Sequence, residues 1–591
     1  MKMKYNQLID QNTLIVNKLN TKFTVISLMR FLFIGSFLFF SYNYFKNKDS
    51  FFLVLGLFSI LLFFVLVNQH QKIKWNKKLY QKLILINNHE IQYLEGKDIP
   101  FEEGTEYIDS NHFCSFDLDL FGRKSLFQNL NRTATFVGKE KLANLLQGKL
   151  SNKEIKDNQE AIKELSQKIE WRQQLLALAS FGEDNQEKYE KLIHWADTKE
   201  KPFRPSIIFV SYLLPITVLL VALATFFSQN IFFYNLVSTF FIINLLITVS
   251  QLKKIKKEIA NSNEILQSIK SYTSILKVIE FEKFEKLKLI ALQSKLQKEN
   301  QSASQNSQKL FTIVTNINTV QNVLGAVFVN GFFLYHIHTL RKLYLWKDQF
   351  SKEIKIWLQI IGEFEALNSL ANFSYNNPNF VFPEINTHGE INFEKIGHPL
   401  LQSNKRVCNT FVLKANEFVI LTGSNMAGKS TFLRTLGINM VLVGIGAPIC
   451  STKANVHPYD VIVSMRQSDS LSDGESYFFA EVKRLKQIVQ KLENEVCFVL
   501  LDEILKGTNS DDKQNGTIEV IKKIISKKAI GCIATHDLEV CKMSESYENQ
   551  LFNKCFEVEI IDNELSFDYK LREGICKNKS ATFLMKKMGI I

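Results

Sequence analysis

The chain has 591 residues, of which 46% are hydrophobic, so it is long enough for several hydrophobic cores and is not a disordered polypeptide. Its formal charge of +13 fits three situations: contact with nucleic acid, basic flanks of membrane helices, or a proteome rich in lysine. The eight cysteines include no C-x-x-C pair, so neither a zinc site nor a disulfide framework is expected.

Four apolar stretches in the first half of the chain predict two membrane hairpins with very short turns. Residues 27–45 and 51–67 form the first pair, and residues 206–227 and 231–249 form the second. Each stretch approaches or reaches the roughly 20 apolar residues that a spanning helix needs. Lysine and arginine flank both pairs, so both hairpins should begin and end in the cytoplasm, at an inner membrane. The alternative is a set of buried helices in a large soluble protein.

Helical periodicity with few glycines and prolines continues between and after these pairs. It fits either a spacer bundle or a lever that connects a motor domain to something else. A fifth apolar stretch, residues 323–340, is interrupted by Asn330, His336 and His338, and it predicts a core helix. The predicted segments are a membrane hairpin at 1–80, a helical core domain at 81–200, a second membrane hairpin at 201–252, the rest of the helical core at 253–374, and a nucleotide-binding domain at 375–591.

A phosphate-binding loop is the clearest motif in the chain. An apolar strand at 419–422 leads into G-x-x-x-x-G-K-S, and a helical pattern follows at 432–443. Backbone N–H groups and the helix N-terminus would bind the phosphates, Lys429 would reach the β- and γ-phosphates, and the Ser430 hydroxyl would ligate Mg²⁺. The residues predicted to bind ATP are Gly423, Ser424, Asn425, Met426, Ala427, Gly428, Lys429, Ser430 and Thr431.

Two further strands end in polar residues that suit phosphoryl transfer. The apolar run 496–501 is followed by Asp502, which can hold Mg²⁺ through water, and by Glu503, which can orient or deprotonate the attacking water. A strand at 529–534 is followed by a histidine, His536, placed to sense the γ-phosphate. Because α/β sheets bind ligands at the carboxyl ends of their strands, these residues should converge on one crevice.

A polar, glycine-containing loop lies between the phosphate-binding motif and the acidic pair. It precedes a helix that should begin at Tyr477. A serine at the start of that helix can offer its hydroxyl and its backbone N–H to a phosphate. Such a serine would be most useful for a phosphate that is bound by another subunit.

These motifs resemble the MutS family of mismatch-repair ATPases, whose composite sites are similar to those of ABC ATPases. The resemblance is carried by GSNMAGKST from Gly423, DEILKGT from Asp502 and ATHDLE from Ala534, and it extends from about Asp117 onward. It implies ATP and Mg²⁺ as ligands, with nucleotide contacts at Asn425 and at 428–431. It also implies Mg²⁺ binding and catalysis at Asp502 and Glu503, a position near the γ-phosphate for His536, and a homodimer in which Ser476 acts on the partner's nucleotide.

The sequence departs from mismatch-recognising members in its N-terminal part, where a membrane hairpin stands in place of the recognition domain. A Phe-x-Glu sequence at 101–103 lies in a predicted loop, and a wedge role is not expected for it. The predicted fold is therefore an α/β P-loop NTPase domain of the ABC/MutS type, an α-helical core domain and four transmembrane helices in two hairpins. We expect a membrane-anchored ATPase that binds DNA. The alternative is an ABC-like transporter or a mechanochemical ATPase that does not act on DNA.

Overall fold

The computed structural model describes the chain except residues 199–202, 229, 299–300, 320–322, 425, 467–476, 562–563, 577–589 and 591. The chain divides into two compact units. The first unit contains residues 1–100 and 168–178, and the second contains residues 101–167 and 179–591.

Helices dominate the first two thirds of the chain, and strands appear mainly after residue 383. The helices are α1 (Lys2–Asn47), α2 (Ser50–Leu94), α3 (Leu126–Leu130), α4 (Phe136–Gln147), α5 (Asn152–Gln167), α6 (Ile169–Ala179), α7 (Gln186–Asp197), α8 (Pro205–Ser228), α9 (Ile231–Ser250), α10 (Leu252–Phe281), α11 (Leu287–Ser294), α12 (Ala303–Thr319), α13 (Val323–Phe333), α14 (Tyr335–Asn376), α15 (Lys429–Gly444), α16 (Tyr477–Lys491), α17 (Ser510–Ser526), α18 (Leu538–Cys541) and α19 (Met543–Ser546). The strands are β1 (Gln297–Lys298), β2 (Gln301–Ser302), β3 (Glu384–Ile385), β4 (Ile391–Ile396), β5 (Asn409–Leu413), β6 (Phe418–Gly423), β7 (Lys453–Val456), β8 (Asp460–Ser464), β9 (Cys497–Asp502), β10 (Ile530–Ala534), β11 (Leu551–Phe556), β12 (Glu559–Ile561), β13 (Glu564–Ser566) and β14 (Leu571–Glu573).

In the first unit, α1 and α2 form a long antiparallel hairpin. The turn between them uses Lys48 in the left-handed conformation and Asp49, whose side chain accepts a hydrogen bond from the N–H of Phe51 at 2.9 Å. At the open end, Asn87 of α2 exchanges two amide hydrogen bonds, of 3.0 and 2.9 Å, with Gln173 of α6. This unit extends past the predicted boundary at residue 80 because α2 continues without interruption to Leu94.

Four described helices, α1, α2, α8 and α9, are long and apolar enough to cross a membrane. At most 11% of the residues in their most apolar windows are buried inside the protein. Phenylalanines such as Phe31 and Phe226 expose three quarters or more of their side chains. Exposed apolar surface of this extent is unusual on a soluble protein and is typical of a membrane or protein contact.

The helical part of the second unit is organised around α14. This helix of 42 residues packs against α4, α5, α7, α10 and α12, and it buries apolar residues along its length, from Ile337 to Phe373. Its C-terminal end at Asn376 leads directly into the β-rich domain.

The fifth apolar stretch differs from its prediction as a single core helix. The helix is broken at Leu334, whose backbone adopts the left-handed conformation at φ 47°, and this separates α13 from α14. The break is stabilised by Asn330, whose Oδ1 accepts a hydrogen bond from the N–H of His336 at 3.0 Å. The prediction of a core position was also wrong in part, because Phe328 and Phe333 of α13 are more than half exposed.

The C-terminal domain contains a six-stranded sheet with the strand order β14-β11-β6-β10-β9-β8. Strands β11, β6, β10, β9 and β8 are parallel, and β14 pairs antiparallel at one edge. The central strands are buried on both faces, which explains their continuous apolar sequences. A four-stranded sheet, β3-β7-β4-β5, lies beside it in the same domain.

Candidate nucleotide site

Three adjacent parallel strands bring the predicted site residues to one edge of the sheet. Ala534 of β10 is in register with Leu421 of β6 and with Asp502 of β9. The next residues continue the pairing, because the N–H groups of Glu503 and Thr535 donate to the carbonyl oxygens of Ala534 and Leu421, both at 3.0 Å. The predicted strands before the phosphate loop, the acidic pair and the histidine are therefore all present and neighbouring.

The phosphate loop ends at Gly428, the residue that precedes the first turn of α15. Its φ of 98° lies in the left-handed region, which a glycine adopts without steric cost. A Cβ atom at this position would also approach the ring of Tyr569 to 3.0 Å. Helix α15 therefore starts with its free N–H groups at the loop, where they can bind an anion.

The side chain of Lys429 lies folded across the loop. Its Nζ donates hydrogen bonds to the carbonyl oxygens of Gly423 at 2.8 Å and Ser424 at 3.0 Å. The residue is only 5% exposed, and this burial lowers the pKa of its ammonium group below the usual value. A phosphate oxygen would offer this buried cation a stronger acceptor than the two neutral carbonyls.

Glu503 and His536 form a tight pair beside Lys429. Oε1 of Glu503 lies 2.6 Å from Nε2 of His536, and the same Nε2 lies 3.2 Å from Nζ of Lys429. Since one ring nitrogen cannot both donate to the carboxylate and accept from the ammonium, we assign its proton to the bond with Glu503. That hydrogen bond, together with Lys506 and Lys429, lowers the pKa of Glu503 to about 2, so its carboxylate is ionised at neutral pH.

The turn after β9 is conformationally unusual. Glu503 and Leu505 both have positive φ angles, of 50° and 61°, which few non-glycine residues adopt. Glu481 of α16 stabilises this turn, because its carboxylate accepts hydrogen bonds from the N–H groups of Leu505 at 2.6 Å and Lys506 at 3.2 Å. Helix α16 begins at Tyr477, so the turn that carries Glu503 is tied to the helix that follows Ser476 in the sequence.

A cavity of about 490 Å³ opens next to the phosphate loop. Its lining includes Ser424, Lys429, Ser430 and Thr431 of the phosphate loop and α15, together with Glu503. This volume falls in the usual range for small-molecule sites. The residues that line the rest of the cavity are Ile396, His398, Leu401, Lys405, Val407, Asn409, Met426, Gly428, Phe432, Thr435, Phe556 and Tyr569.

Several of these lining residues had no site role in the sequence analysis. Asn409 connects two walls of the cavity, since its side chain donates to the carbonyl of Tyr569 at 3.0 Å and accepts from the N–H of Leu571 at 2.9 Å. Burial and the neighbouring Arg434 and Arg406 lower the pKa of His398 to about 4, so its ring is neutral at neutral pH. His398 lies in the short sequence G-H-P-L at 397–400.

Asp117 and Asp119 connect the start of the helical region to the nucleotide site. Asp119 forms ion pairs with Arg434 of α15 and with Arg466, which follows β8. Asp117 accepts hydrogen bonds from the N–H groups of Met465 at 2.8 Å and Arg466 at 2.7 Å. The phosphate-loop helix and the residues just before segment 467–476 thus share one acidic anchor.

The remaining predicted residues divide into three groups. Gly423 and Asp502 are the last residues of β6 and β9, while Met426 and Ala427 belong to the loop, with Met426 79% exposed. Asn425 and Ser476 lie outside the described residues. Within the described part of the chain no cluster of three or more His, Cys, Asp or Glu could hold a metal ion. The donors present, one hydroxyl and one carboxylate, fit Mg²⁺, which takes few protein ligands and completes its shell with water and phosphate oxygens.

The C-terminal domain also matches a known family. Residues 419–589 match the family model "MutS domain V". The C-terminal domain is therefore similar to domain V of MutS proteins.

Relatives of the chain carry the printed name "DNA mismatch repair protein MutS". One from Clostridium perfringens is 32% identical over 247 residues, which cover 40% of this chain and 27% of the relative. One from Clostridium botulinum strain Hall is 31% identical over 229 residues, 36% of this chain and 24% of the relative. One from Finegoldia magna is 31% identical over 231 residues, 37% of this chain and 26% of the relative. The chain spans about a quarter of the length of these MutS proteins.

Proposed function

We propose that this protein is a membrane-anchored, Mg²⁺-dependent ATPase of the MutS type that acts on DNA as a homodimer. The observation that carries the proposal is the meeting of Lys429, Glu503 and His536 at the ends of three adjacent parallel strands, beside a cavity large enough for a nucleotide. Other P-loop domains use the same combination of a buried lysine and a strand-end carboxylate for phosphoryl transfer.

In this proposal each residue has one task. Lys429 exchanges its hydrogen bonds with the loop carbonyls for bonds to phosphate oxygens, and the N–H groups at the start of α15 bind the same phosphates. Ser430 and Asp502 would hold Mg²⁺, and the bound ion would supply positive charge near the phosphates. Glu503, already ionised, accepts a proton from the attacking water, and His536 fixes the orientation of that carboxylate.

Three features support the wider assignment. The relatives are named for DNA mismatch repair, which makes DNA the first candidate partner. Ser476 precedes α16, whose Glu481 caps the turn of Glu503, so a partner subunit that engages Ser476 can act on the catalytic turn. The four exposed apolar helices favour an inner membrane as the location, with the ATPase domain in the cytoplasm.

The test is ATP hydrolysis by the purified full-length chain in detergent, with Mg²⁺ and with homoduplex, mismatched or branched DNA. Glu503→Gln should retain ATP binding and lower the turnover about 10²-fold or more, because general-base catalysis contributes about 10²–10⁴-fold. Glu493→Gln, at an exposed position of the same domain, is the matched control and should leave the rate unchanged.

Hydrolysis at the native rate by the Glu503→Gln variant would contradict the assigned role of this residue. If DNA does not change the hydrolysis rate at any salt concentration, the DNA part of the proposal fails. Stimulation by a small solute would then support a transporter instead.

A further inference from the structure

Helix α13 is a short apolar helix attached to the α8–α9 pair. The ring of Phe241 on α9 packs against Phe332 with centroids 5.1 Å apart and against Phe328 at 6.5 Å. The contact is close because Gly331 has no side chain: a Cβ atom there would collide with the Phe241 ring. Glycine at such a position lets two helices approach closely, as in membrane helix pairs.

Beyond this contact, α13 leaves much of its apolar surface exposed. Phe328 is 61% exposed and Phe333 is 58% exposed. The neighbouring helices also present apolar side chains to the outside, such as Ile216 of α8 and Leu246 of α9, which are both more than half exposed. The exposed face of α13 therefore adds to the apolar surface of the α8–α9 pair.

The break between α13 and α14 leaves few backbone polar groups to solvate. Leu334 is fully buried, and its N–H donates to the carbonyl oxygen of Asn330 at 3.0 Å. The side chain of Asn244 on α9, also fully buried, donates to the carbonyl oxygen of Gly331 at 2.8 Å. A broken helix at membrane depth is tolerated where protein groups satisfy the freed backbone in this way.

Contacts with α8 and α9 indicate the depth of the break. Asn244 lies six residues before the end of α9, or about 9 Å along the helix axis. The ring of His338 on α14 contacts the carbonyl of Ser211, six residues after the start of α8, at 2.9 Å. From Gly331 toward Phe328 the contacts on α9 move from Asn244 to Phe241, which is further from the cytoplasmic end of that helix.

We propose that α13 is a re-entrant membrane helix, which lies beside α9 in the cytoplasmic half of the bilayer and contacts lipid acyl chains through Phe328 and Phe333. This inference rests on the proposed membrane anchoring of α8 and α9. It adds a fifth membrane-embedded helix to the four that length and hydropathy identify.

Tryptophan quenching by lipids with brominated acyl chains tests the proposal in the full-length chain in nanodiscs. Phe328→Trp is the test variant, and Phe209→Trp, on the exposed face of α8, reports whether the pair itself is in lipid. Phe281→Trp, at the exposed end of α10, is the aqueous control. The fluorescence added by each substitution is obtained by subtracting the emission of the parent chain with its five tryptophans.

We expect strong quenching for Phe328→Trp and Phe209→Trp and none for Phe281→Trp. Phe333→Trp should be quenched more by bromines near the headgroup than by bromines deep in the chain, and Phe328→Trp should show the reverse order. If Phe209→Trp is quenched and Phe328→Trp is not, the re-entrant helix is rejected while the anchor stands. If neither is quenched, the membrane anchoring itself fails. If the quenching of Phe328→Trp weakens as the protein concentration increases, a second copy of the chain covers this side of α13. That result would overturn the proposal.

Two glycines of α13 provide a matched test of the packing. In the Phe328→Trp background, Gly331→Ala should separate α13 from α9 and abolish the depth dependence of quenching. Gly325→Ala should change nothing, because a Cβ atom at that position meets no atom within 4 Å. Equal behaviour of the two alanine variants would contradict the assigned contact with Phe241.

Discussion

At the residue scale, the low pKa of Glu503 depends mainly on one neighbour. The hydrogen bond from His536 is the largest cause of its low pKa, and Lys506 and Lys429 contribute less. A depressed carboxyl pKa means that the ionised form persists in acid and is lost only as the pH falls through about 2. The proposed general base is therefore ionised at any pH well above 2.

Removal of the histidine should make the activity sensitive to acid. In a His536→Ala variant the pKa of Glu503 should rise toward its ordinary value of 4.5, so turnover should decline at a higher pH than in the parent chain. The measurement is kcat at saturating ATP in buffers from about pH 4 to about pH 8. His388→Ala, at an exposed surface ion pair, is the control. If kcat declines at the same acidic pH in the parent chain and in the His536→Ala variant, His536 does not control the ionisation of Glu503.

Lys429 gives the second prediction at this scale. Since a hydrogen bond to a charged group contributes about 1.5–3 kcal/mol, Lys429→Ala should weaken ATP binding by at least about tenfold. The dissociation constant can be measured with a fluorescent ATP analogue, and Lys414→Ala, an exposed lysine after β5, serves as control. Unchanged affinity in the Lys429→Ala variant would remove the lysine from the phosphate site.

At the scale of elements, the contact between α4 and α14 contains a buried carboxyl group. Glu365 of α14 accepts hydrogen bonds from the N–H of Ala134 at 2.8 Å and from the hydroxyl of Thr135, the residue that caps α4. Burial raises the pKa of Glu365 to about 7, against an ordinary value of 4.5. The hydrogen bonds oppose this shift but do not cancel it.

This raised pKa predicts the sign of a pH effect on stability. Below pH 4.5 the carboxyl group is protonated in both the folded and the unfolded chain, so its ionisation does not lower the free energy of unfolding. Between 4.5 and about 7 only the unfolded chain ionises, so stability falls as the pH rises, and above about 7 the loss is complete. In a Glu365→Gln variant, the apparent melting temperature should depend much less on pH across this window. Glu363→Gln, a partly exposed neighbour on α14, should keep the slope; a flat profile for both would refute the assignment.

The sequence predicted those elements whose signals are local. The strands before Gly423 and Glu503 were predictable because each is an apolar run that ends at a recognisable motif, and the structure has them as β6 and β9. The break at Leu334 was not predictable from the sequence, because it depends on Asn330 and on Asn244 from a distant helix. The cavity wall built by Asn409 and Tyr569 was missed for the same reason: its residues meet only in the folded chain.

The anchor at Asp119 shows the same limit. Nothing in the local sequence links it to Arg434 and Arg466, which follow more than 300 residues later. Ion pairs between distant segments have no local pattern, so sequence periodicity carries no information about them. The same holds for Glu481 and the turn after β9.

At the scale of the whole molecule, the proposed dimer can be trapped. Glu503→Gln with ATP and Mg²⁺ should accumulate as a closed dimer, because nucleotide binds and the hydrolysis that reopens the dimer is blocked. Sedimentation velocity in detergent should show the dimer with ATP and a smaller species with ADP. If the variant sediments identically with both nucleotides, two chains do not close on ATP.

The length of the α1–α2 hairpin has an electrostatic consequence in the proposed topology. Lys4, which pairs with Glu170 of α6, lies 23 residues before the predicted membrane span at residue 27, or about 34 Å along α1. Subtracting about 7 Å for the headgroup layer leaves roughly three Debye lengths of about 8 Å. At that height the negative potential of anionic lipids is almost fully screened. A polyanion held level with α6 would experience almost no repulsion from the bilayer.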